Sequence, residues 1–273
     1  MWGINDFDEA CPMPYTIDLV RVASSALLAI DEHHLSLSAR EVCDWLLDGY
    51  QDGLQGGRPW VLEEHHAFLR TLALSEARDP VKFWAKLQAL PKPQVKVPST
   101  LSRILMDSLP ERNLPFTLKG RTAGLGSLGR IRVVALAEWH GGLVAREAKA
   151  LAPSAYWWAS GAKGQPRIWV GEIQDRAVRM KDPCWRLYPA WTVRRLSAHC
   201  SKIEVASLPK KKEEEKLVHA MGFETANVHL GSPKAIPAVR KDLAKRSRKW
   251  LFHAARDMAD AISRDYDQFR KRA

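Results

Sequence analysis

Three carboxylates stand close together near the amino terminus. They are Asp6, Asp8 and Glu9, in the block Asp-Phe-Asp-Glu-Ala. On an extended strand, side chains two residues apart point to the same side, so Asp6 and Asp8 could bind one cation together. Carboxylate oxygens suit a hard cation such as Mg²⁺. The pair therefore predicts a Mg²⁺ site, with a capped turn leading into the next helix as the alternative.

A glycine-rich loop, Gly-Leu-Gly-Ser-Leu-Gly, spans residues 124–129. Residues 116–123 before it and 131–139 after it both look extended, the second being apolar, β-branched and without a helix-start signal. A dinucleotide fingerprint requires a helix after the glycines. The order strand, glycines, strand instead predicts a hairpin over phosphates, as in protein kinases. Its phosphate-binding residues would be Gly124, Gly126, Ser127 and Gly129. The alternative is a structural hairpin whose glycines serve only the turn.

A cation should follow on the next strand if the hairpin covers phosphates. Residues 140–142 form a predicted turn, and residues 143–149 a third strand that carries Arg146 and Lys149. Because these two residues are three apart, they point to opposite faces of a strand. Only one of them can therefore face the phosphates.

Length and composition are those of a globular protein. The chain has 273 residues, 46% hydrophobic and 27% charged, and the sequence lacks both a membrane span and a signal peptide. Its four cysteines are scattered, which favours reduced thiols and a cytoplasmic location. The net charge of +11 is spread along the chain. We expect a solvated basic surface and no nucleic-acid partner, because charge alone specifies no polyanion.

The hydrophobic pattern predicts helices on both sides of an antiparallel sheet, an α+β fold. The expected helices cover residues 17–30 (Thr16 as N-cap), 39–50 (a Ser38 capping box), 61–77, 80–90 (Asp79 as N-cap), 153–158, 213–229 and 237–270. Further strands are expected at residues 167–173 and 190–196. The proline-rich stretch 91–98 is the best candidate linker. It gives three segments: 1–98, helical with the metal motif; 99–205, β-rich and nucleotide-binding; and 206–273, helices that complete the helical lobe.

Several of these blocks together resemble the uncharacterised bacterial DUF 2252 family. They are residues 5–10, Asp18, Leu19, Arg21, residues 124–129 and residues 146–148, with Asp265 and Tyr266 near the end. This family looks distantly related to kinases and aminoglycoside phosphotransferases. The resemblance implies a two-lobed kinase-like fold, circularly permuted because the glycine loop follows the metal motif. It also implies that Asp6 binds Mg²⁺, with Asp8 as a second contact, and that Asp18 anchors the following helix.

Two departures from the family pattern bear on activity. The family carries a Gly-Asp-x-His-x-x-Asn stretch upstream of its DFDEA block, similar to the kinase catalytic loop, and this sequence has none. The resemblance thus implies an amino-terminal truncation that removes the catalytic base and a second metal ligand. Arg146 stands where the family usually has lysine, so the resemblance favours Arg146 over Lys149 as the phosphate-facing cation.

We therefore expect a kinase-like domain that binds Mg²⁺ and ATP or a related nucleotide, incomplete or inactive as a phosphotransferase and with an unknown phosphate acceptor. A non-catalytic binding module, either a pseudoenzyme or a nucleic-acid binder with a basic surface, is the alternative. A phosphatase of the haloacid-dehalogenase type, with Asp6 as nucleophile and Asp8 as acid/base, is a third hypothesis. That site usually follows an apolar strand and has a small hydroxyl residue where Glu9 stands.

Overall fold

A computed structural model describes residues 2–61, 64, 79–122, 129–198 and 212–272. The described helices are α1 (Thr16–Asp31), α2 (Ala39–Gly56), α3 (Pro80–Gln88), α4 (Ser99–Ser108), α5 (Ala155–Ala159), α6 (Val170–Arg176), α7 (Lys212–His229), α8 (Ile236–Leu243) and α9 (Trp250–Arg272). The strands are β1 (Phe116–Gly120), β2 (Arg132–Trp139), β3 (Gly142–Ala150), β4 (Arg186–Tyr188) and β5 (Trp191–Leu196). The predicted α+β class is confirmed. The predicted helix over 61–77 lies almost entirely outside the described residues.

The five strands form one antiparallel sheet in the order β1-β2-β3-β5-β4. Strands β1 and β2 pair antiparallel, and the sequence between them contains the glycine-rich residues, of which only Gly129 is described. The turn at His140 and Gly141, both with positive φ, leads into β3. The predicted order of strand, glycines, strand, turn and strand is therefore confirmed. Helix α3 packs through Leu87 on one group of sheet residues, which includes Val134 and Ala145. Helix α4 packs on another group, which includes Val133 and Ala148. Because Val133 and Val134 alternate along β2, the two helices cover opposite faces of the sheet.

The second core lies between helices. Side chains from α1, α2, α7 and α9 form one buried cluster, including Leu19, Leu46, Tyr50, Val218 and Leu251. Helices α2 and α7 approach each other most closely at glycines. A Cβ atom on Gly49 would overlap the carbonyl oxygen of His219, and one on Gly222 would overlap that of Leu46. The two glycines therefore permit backbone contact that no larger residue allows.

We expect the substitution Gly222→Ala to destabilise the fold. The new methyl group meets backbone atoms, which cannot rotate away, so the helices must separate. Overpacking of this kind costs about 1–3 kcal/mol, and alanine's better helix propensity returns only about 1 kcal/mol. Urea unfolding should show a net loss of up to about 2 kcal/mol. Gly56→Ala, at the open end of α2 with nothing near its Cβ position, is the matched control and should be neutral or slightly stabilising. Equal stability of the two variants would contradict the packing argument.

Two local predictions at helix starts are confirmed and one is wrong. Ser38 and Glu41 form the predicted capping box, and Asp79 caps α3 with Pro80 in its first turn. Thr16, by contrast, is the first residue of α1 and not its cap, and Tyr15 precedes it without a side-chain cap hydrogen bond. The Tyr15 ring instead stacks on Tyr50 at 6.1 Å between centroids. Tertiary packing therefore fixes this helix start.

The predicted strand over residues 167–173 is wrong, because residues 170–176 form helix α6. Glu172 accepts from Arg176, one helical turn later, at 2.6 Å, and also from Arg167. These ion pairs suit a helix, and the β-branched residues that favoured a strand do not decide the outcome.

The single final helix predicted over 237–270 is in fact two helices, α8 and α9, separated by residues 244–249. The Arg246 guanidinium lies over the Trp250 ring at 4.8 Å and pairs with Asp242 across this break. In α9, Leu251, Ala255 and Ala259 are buried in the helical core. Met258, Ile262 and Phe269, predicted to be buried, are 37%, 41% and 67% exposed. Because α9 has 23 residues and α1 has 16, its carboxyl end extends beyond that partner.

None of the described helices combines the length and the apolar character that a membrane span requires.

Candidate functional site

The segment that carries the DFDEA block is held in place on both sides. Trp2 forms a β-bridge with Trp60, and their rings meet edge to face at 5.6 Å. The amide of Ile4 donates to Glu224 of α7 at 3.2 Å, and Arg179 donates to the Ile4 carbonyl at 3.0 Å. Burial raises the pKa of Glu224, and the nearby Arg179 opposes that rise only in part. These contacts fix the backbone immediately before Asp6.

Asp6 and Asp8 do not lie on a regular strand, so the predicted reason for their convergence is wrong. Asp6 has a φ of 74°, a left-handed conformation that is uncommon for a residue other than glycine. Such strain is frequent at functional sites, where surrounding contacts over-determine the backbone. The two carboxylates nevertheless meet, because both contact the same cation.

That cation is Lys149, near the end of β3. Its Nζ lies 2.6 Å from Asp6 Oδ1 and also contacts Asp8 Oδ2. The Lys149 and Asp8 side chains are 12% and 10% exposed, whereas Asp6 is 69% exposed. Lys149 is therefore enclosed between the buried carboxylate of Asp8 and the exposed carboxylate of Asp6. An ion pair this enclosed is costly to break on one side only.

The two aspartates differ in acidity. Burial raises the pKa of Asp8, and the hydrogen bond and charge of Lys149 offset that rise only in part. Burial also acts on Asp6, but Lys149, with a smaller contribution from Arg132, outweighs it and lowers the pKa of Asp6. Lys149 thus acts on both carboxylates, with the pKa of Asp8 raised and that of Asp6 lowered.

Arg146 points away from the acidic pair. Its Nε donates to the carbonyl of Ser108 at the end of α4, at 2.8 Å, and its Nη1 donates to the Ala145 carbonyl. The prediction that Arg146 and Lys149 occupy opposite faces of β3 is thus confirmed. Of the two, Lys149 is the cation placed beside Asp6 and Asp8. The family resemblance favours Arg146 for this role.

The glycine-rich loop is described only at its last residue. Gly124, Gly126 and Ser127 lie outside the described residues. Gly129 has a φ of 76°, and a Cβ there would meet nothing within 4 Å, so its conformation and not its surroundings favours glycine. The next residue, Arg130, pairs with Glu9 at 2.7 Å. This contact joins the DFDEA block to the base of the hairpin.

A buried Glu147, for which the 146–148 block predicted no role, lies on the same face of β3 as Lys149. Its side chain is 1% exposed, and it contacts Arg194 at 2.7 Å, Arg132 at 3.9 Å, and Arg121. Burial opposes ionisation here, yet the charges of Arg194, Arg121 and Arg132 hold the pKa of Glu147 below its ordinary value. The signal in the sequence that could have revealed it is its position inside a predicted strand, two residues before Lys149 and therefore on the same face.

The site thus consists of the anchored acidic segment, Lys149 and the arginine cluster next to the glycine-rich hairpin. Residues 1–86 match the family described as "Uncharacterized protein conserved in bacteria (DUF2252)". The match includes Asp6 and Asp8 and ends before the hairpin, so it supports the family resemblance for the amino-terminal part of the chain. No curated protein and no solved structure matches the chain.

Asp18, also within the segment that matches DUF2252, has a structural environment. It lies in the first turn of α1 and accepts from His229 Nε2 at 3.1 Å. The other ring nitrogen of His229 is 2.7 Å from the hydroxyl of Tyr50, and burial raises the pKa of that phenol. The hydrogen bonds from His229 to Asp18 and Tyr50 connect α1, α2 and α7. This environment agrees with the expectation that Asp18 anchors the helix that follows the acidic block.

In the part of the chain that the structure describes, no three histidine, cysteine or acidic side chains converge as a ready metal site. Asp6 and Asp8 alone could provide two oxygen ligands. This set fits Mg²⁺, which usually keeps several waters and takes one or two carboxylates together with phosphate oxygens from a substrate. It does not fit a structural zinc site, which requires about four nitrogen or sulfur ligands.

Proposed function

We propose that this chain is a kinase-like domain that binds a complex of Mg²⁺ with ATP or a related nucleotide. The hairpin at residues 120–132 would cover the phosphates, and Asp6 and Asp8 would hold the metal. The observation that carries the proposal is the contact of Lys149 with Asp6, which lies 143 residues away in sequence, and with Asp8. In protein kinases a lysine on the third strand binds phosphates, and the aspartate of a short Asp-Phe motif binds Mg²⁺.

Each described residue would have a distinct role. The Lys149 ammonium would pair with phosphate oxygens, since it is a compact cation held at 12% exposure. A bound Mg²⁺ would neutralise phosphate charge. The buried Asp8 would bind the metal on its protein side, and the exposed Asp6 would bind it on the solvent side. Gly124, Gly126, Ser127 and Gly129 would present backbone amides to the phosphates, which is the usual role of such a loop.

Binding is better supported than turnover. The catalytic loop of a kinase supplies the base aspartate and an asparagine for the second Mg²⁺, and the 273 residues contain no Gly-Asp-x-His-x-x-Asn stretch. In the proposed kinase-like arrangement, these 273 residues would form a nucleotide-binding module, and we name no phosphate acceptor.

We expect ATP with Mg²⁺ to raise the melting temperature of the protein. A ligand at 100 times its Kd stabilises the folded state by about 2.7 kcal/mol, which corresponds to a shift of several degrees for a chain of this size. Thermal unfolding with ATP and MgCl₂, each at millimolar concentration, measures it. Asp8→Asn removes a metal ligand at similar size and should abolish the shift, whereas Asp52→Asn, remote in α2, should retain it. No shift in the unmodified protein would contradict the proposal.

A further inference from the structure

A row of three cations crosses the sheet next to the glycine-rich hairpin. Arg132 and Lys149 are direct partners in the register of β2 and β3. The amide of Arg121 donates to the carbonyl of Arg132 at 3.1 Å, so Arg121 continues the row on the other side. Directly opposed residues on neighbouring antiparallel strands point to one face. With strands about 4.8 Å apart, the row is about 10 Å long.

The row has more positive charge than its buried carboxylate can neutralise. Glu147, on the same face, is shared by Arg121, Arg132 and Arg194. One negative charge therefore faces three guanidinium groups. The remaining carboxylates nearby, Asp6 and Asp8, are both engaged by Lys149. An excess of fixed positive charge in a partly enclosed place favours an anionic ligand.

Arg132 provides the strongest structural indication that a ligand binds here. Its side chain is only 7% exposed, and its nearest contact to Glu147 is 3.9 Å, which is too long for a hydrogen bond. Within the described part of the chain, its Nε has no hydrogen-bond partner. A buried guanidinium with an unused donor is costly unless something accepts that hydrogen bond. Phosphate oxygens accept from arginine in a forked geometry.

We propose that Arg121, Arg132 and Lys149 form a subsite for a chain of consecutive phosphates, and that Glu147 positions the two arginines. The proposal rests on the proposed function, since Lys149 belongs to both, and it names the ligand class as a triphosphate over a monophosphate. Arg132 and Lys149 come from β2 and β3, and Arg121 directly follows β1. A nearly buried Arg132 suits a compact phosphate chain and not the backbone of a nucleic acid, whose contacts are mostly made at exposed surfaces.

The experiment compares ATP, AMP and inorganic tripolyphosphate, each with MgCl₂, by titration calorimetry on the full chain. Arg132→Met removes the charge and retains an apolar stem. We expect it to weaken ATP and tripolyphosphate binding at least tenfold. AMP should bind the unmodified protein at least tenfold more weakly than ATP does. Arg195→Met is the matched control, because Arg195 lies on β5 opposite Arg146 and therefore on the other face, and its affinities should be unchanged.

The outcomes separate this inference from the proposed function. Unchanged ATP affinity in Arg132→Met would overturn the subsite and leave nucleotide binding intact. Tripolyphosphate binding that requires Arg132, without any binding of ATP, would support the row and contradict the nucleotide proposal. Binding of single-stranded RNA with the same dependence on Arg132, and no triphosphate binding, would overturn the ligand class. If neither ATP nor tripolyphosphate binds the unmodified protein, both proposals fail.

A second variant keeps the test decisive if Arg132→Met does not fold. The Arg121 side chain is 27% exposed, so Arg121→Met should fold, as circular dichroism would verify. We expect it to weaken tripolyphosphate binding several-fold, and unchanged binding counts against the row. Arg132→Lys retains charge but not the forked donor, so it should restore part of the lost affinity.

Discussion

Replacement of Lys149 by methionine should weaken ATP binding roughly 10- to 150-fold. This range follows from the loss of a charge-assisted hydrogen bond, which contributes about 1.5–3 kcal/mol. Methionine has a similar length and no charge, so the change isolates the ammonium group. Titration calorimetry with ATP and MgCl₂ measures the effect.

The same variant should gain affinity for a metal ion alone. Lys149 now occupies the position between Asp6 and Asp8 that a cation would need. A metal must therefore displace the lysine unless a phosphate draws it away, which makes binding of metal and nucleotide mutually dependent in the unmodified protein. In Lys149→Met no cation competes, and Mn²⁺ without nucleotide should bind at least tenfold more tightly, as electron paramagnetic resonance would show.

Arg146→Met is the control for both measurements. Its side chain binds the Ser108 carbonyl on the opposite face of the strand, so neither ATP nor Mn²⁺ affinity should change. If ATP binding is lost in Arg146→Met and retained in Lys149→Met, the proposed site is contradicted. Arg146, which the family resemblance favours, would then be the phosphate-binding cation. Unchanged Mn²⁺ binding in Lys149→Met would show that the lysine does not compete with a metal.

Strand periodicity could predict that Arg146 and Lys149 diverge, but not which of them is useful. That choice depends on which face of the sheet the amino-terminal segment packs against. Trp2 and Ile4 fix this position through contacts with Trp60 and Glu224, which are far away in sequence. A pattern of spacing contains no information on such tertiary partners. The convergence of Asp6 and Asp8 likewise depends on a tertiary partner, Lys149, and not on the predicted strand alternation.

The errors in the fold have similar origins. The break between α8 and α9 falls at residues 244–249, which contain neither proline nor glycine. The sequence therefore has no helix-breaking residue that would predict it. The apolar stripe of α9 has the right period, yet Ile262 and Phe269 are exposed, because burial requires a partner as long as the helix. The Ser38 capping box is predicted correctly because both of its partners, Ser38 and Glu41, lie within one turn.

Glu147→Gln should lower the free energy of unfolding by about 3–5 kcal/mol at neutral pH. Removal of one partner from a buried ionic cluster leaves uncompensated charges behind, here three guanidinium groups within one face of the sheet. Glutamine preserves size and can still accept from one arginine, so steric effects are small. Urea unfolding followed by tryptophan fluorescence provides the measurement.

Acidification should make the stabilities of Glu147→Gln and the unmodified protein more similar. The arginines hold the pKa of Glu147 below the value of 4.5 that it has when unperturbed. Its stabilising contribution is therefore fully present above that ordinary value, and it disappears as the pH falls through the lowered pKa of the folded state. The difference between Glu147→Gln and the unmodified protein should accordingly shrink as the pH falls well below 4.5. A difference that stays constant over this range would mean that Glu147 acts through packing and not through charge.

Glu138→Gln separates this effect from the general loss of a carboxylate. Glu138 lies on β2 of the same sheet, and its side chain is exposed. An exposed substitution usually changes stability by less than about 0.5 kcal/mol, so Glu138→Gln should unfold like the unmodified protein at every pH. Equal losses in Glu138→Gln and Glu147→Gln would remove the arginine cluster as a source of stability. A loss confined to Glu147→Gln means that one carboxylate holds Arg121, Arg132 and Arg194 in place, and the phosphate subsite requires this of the first two.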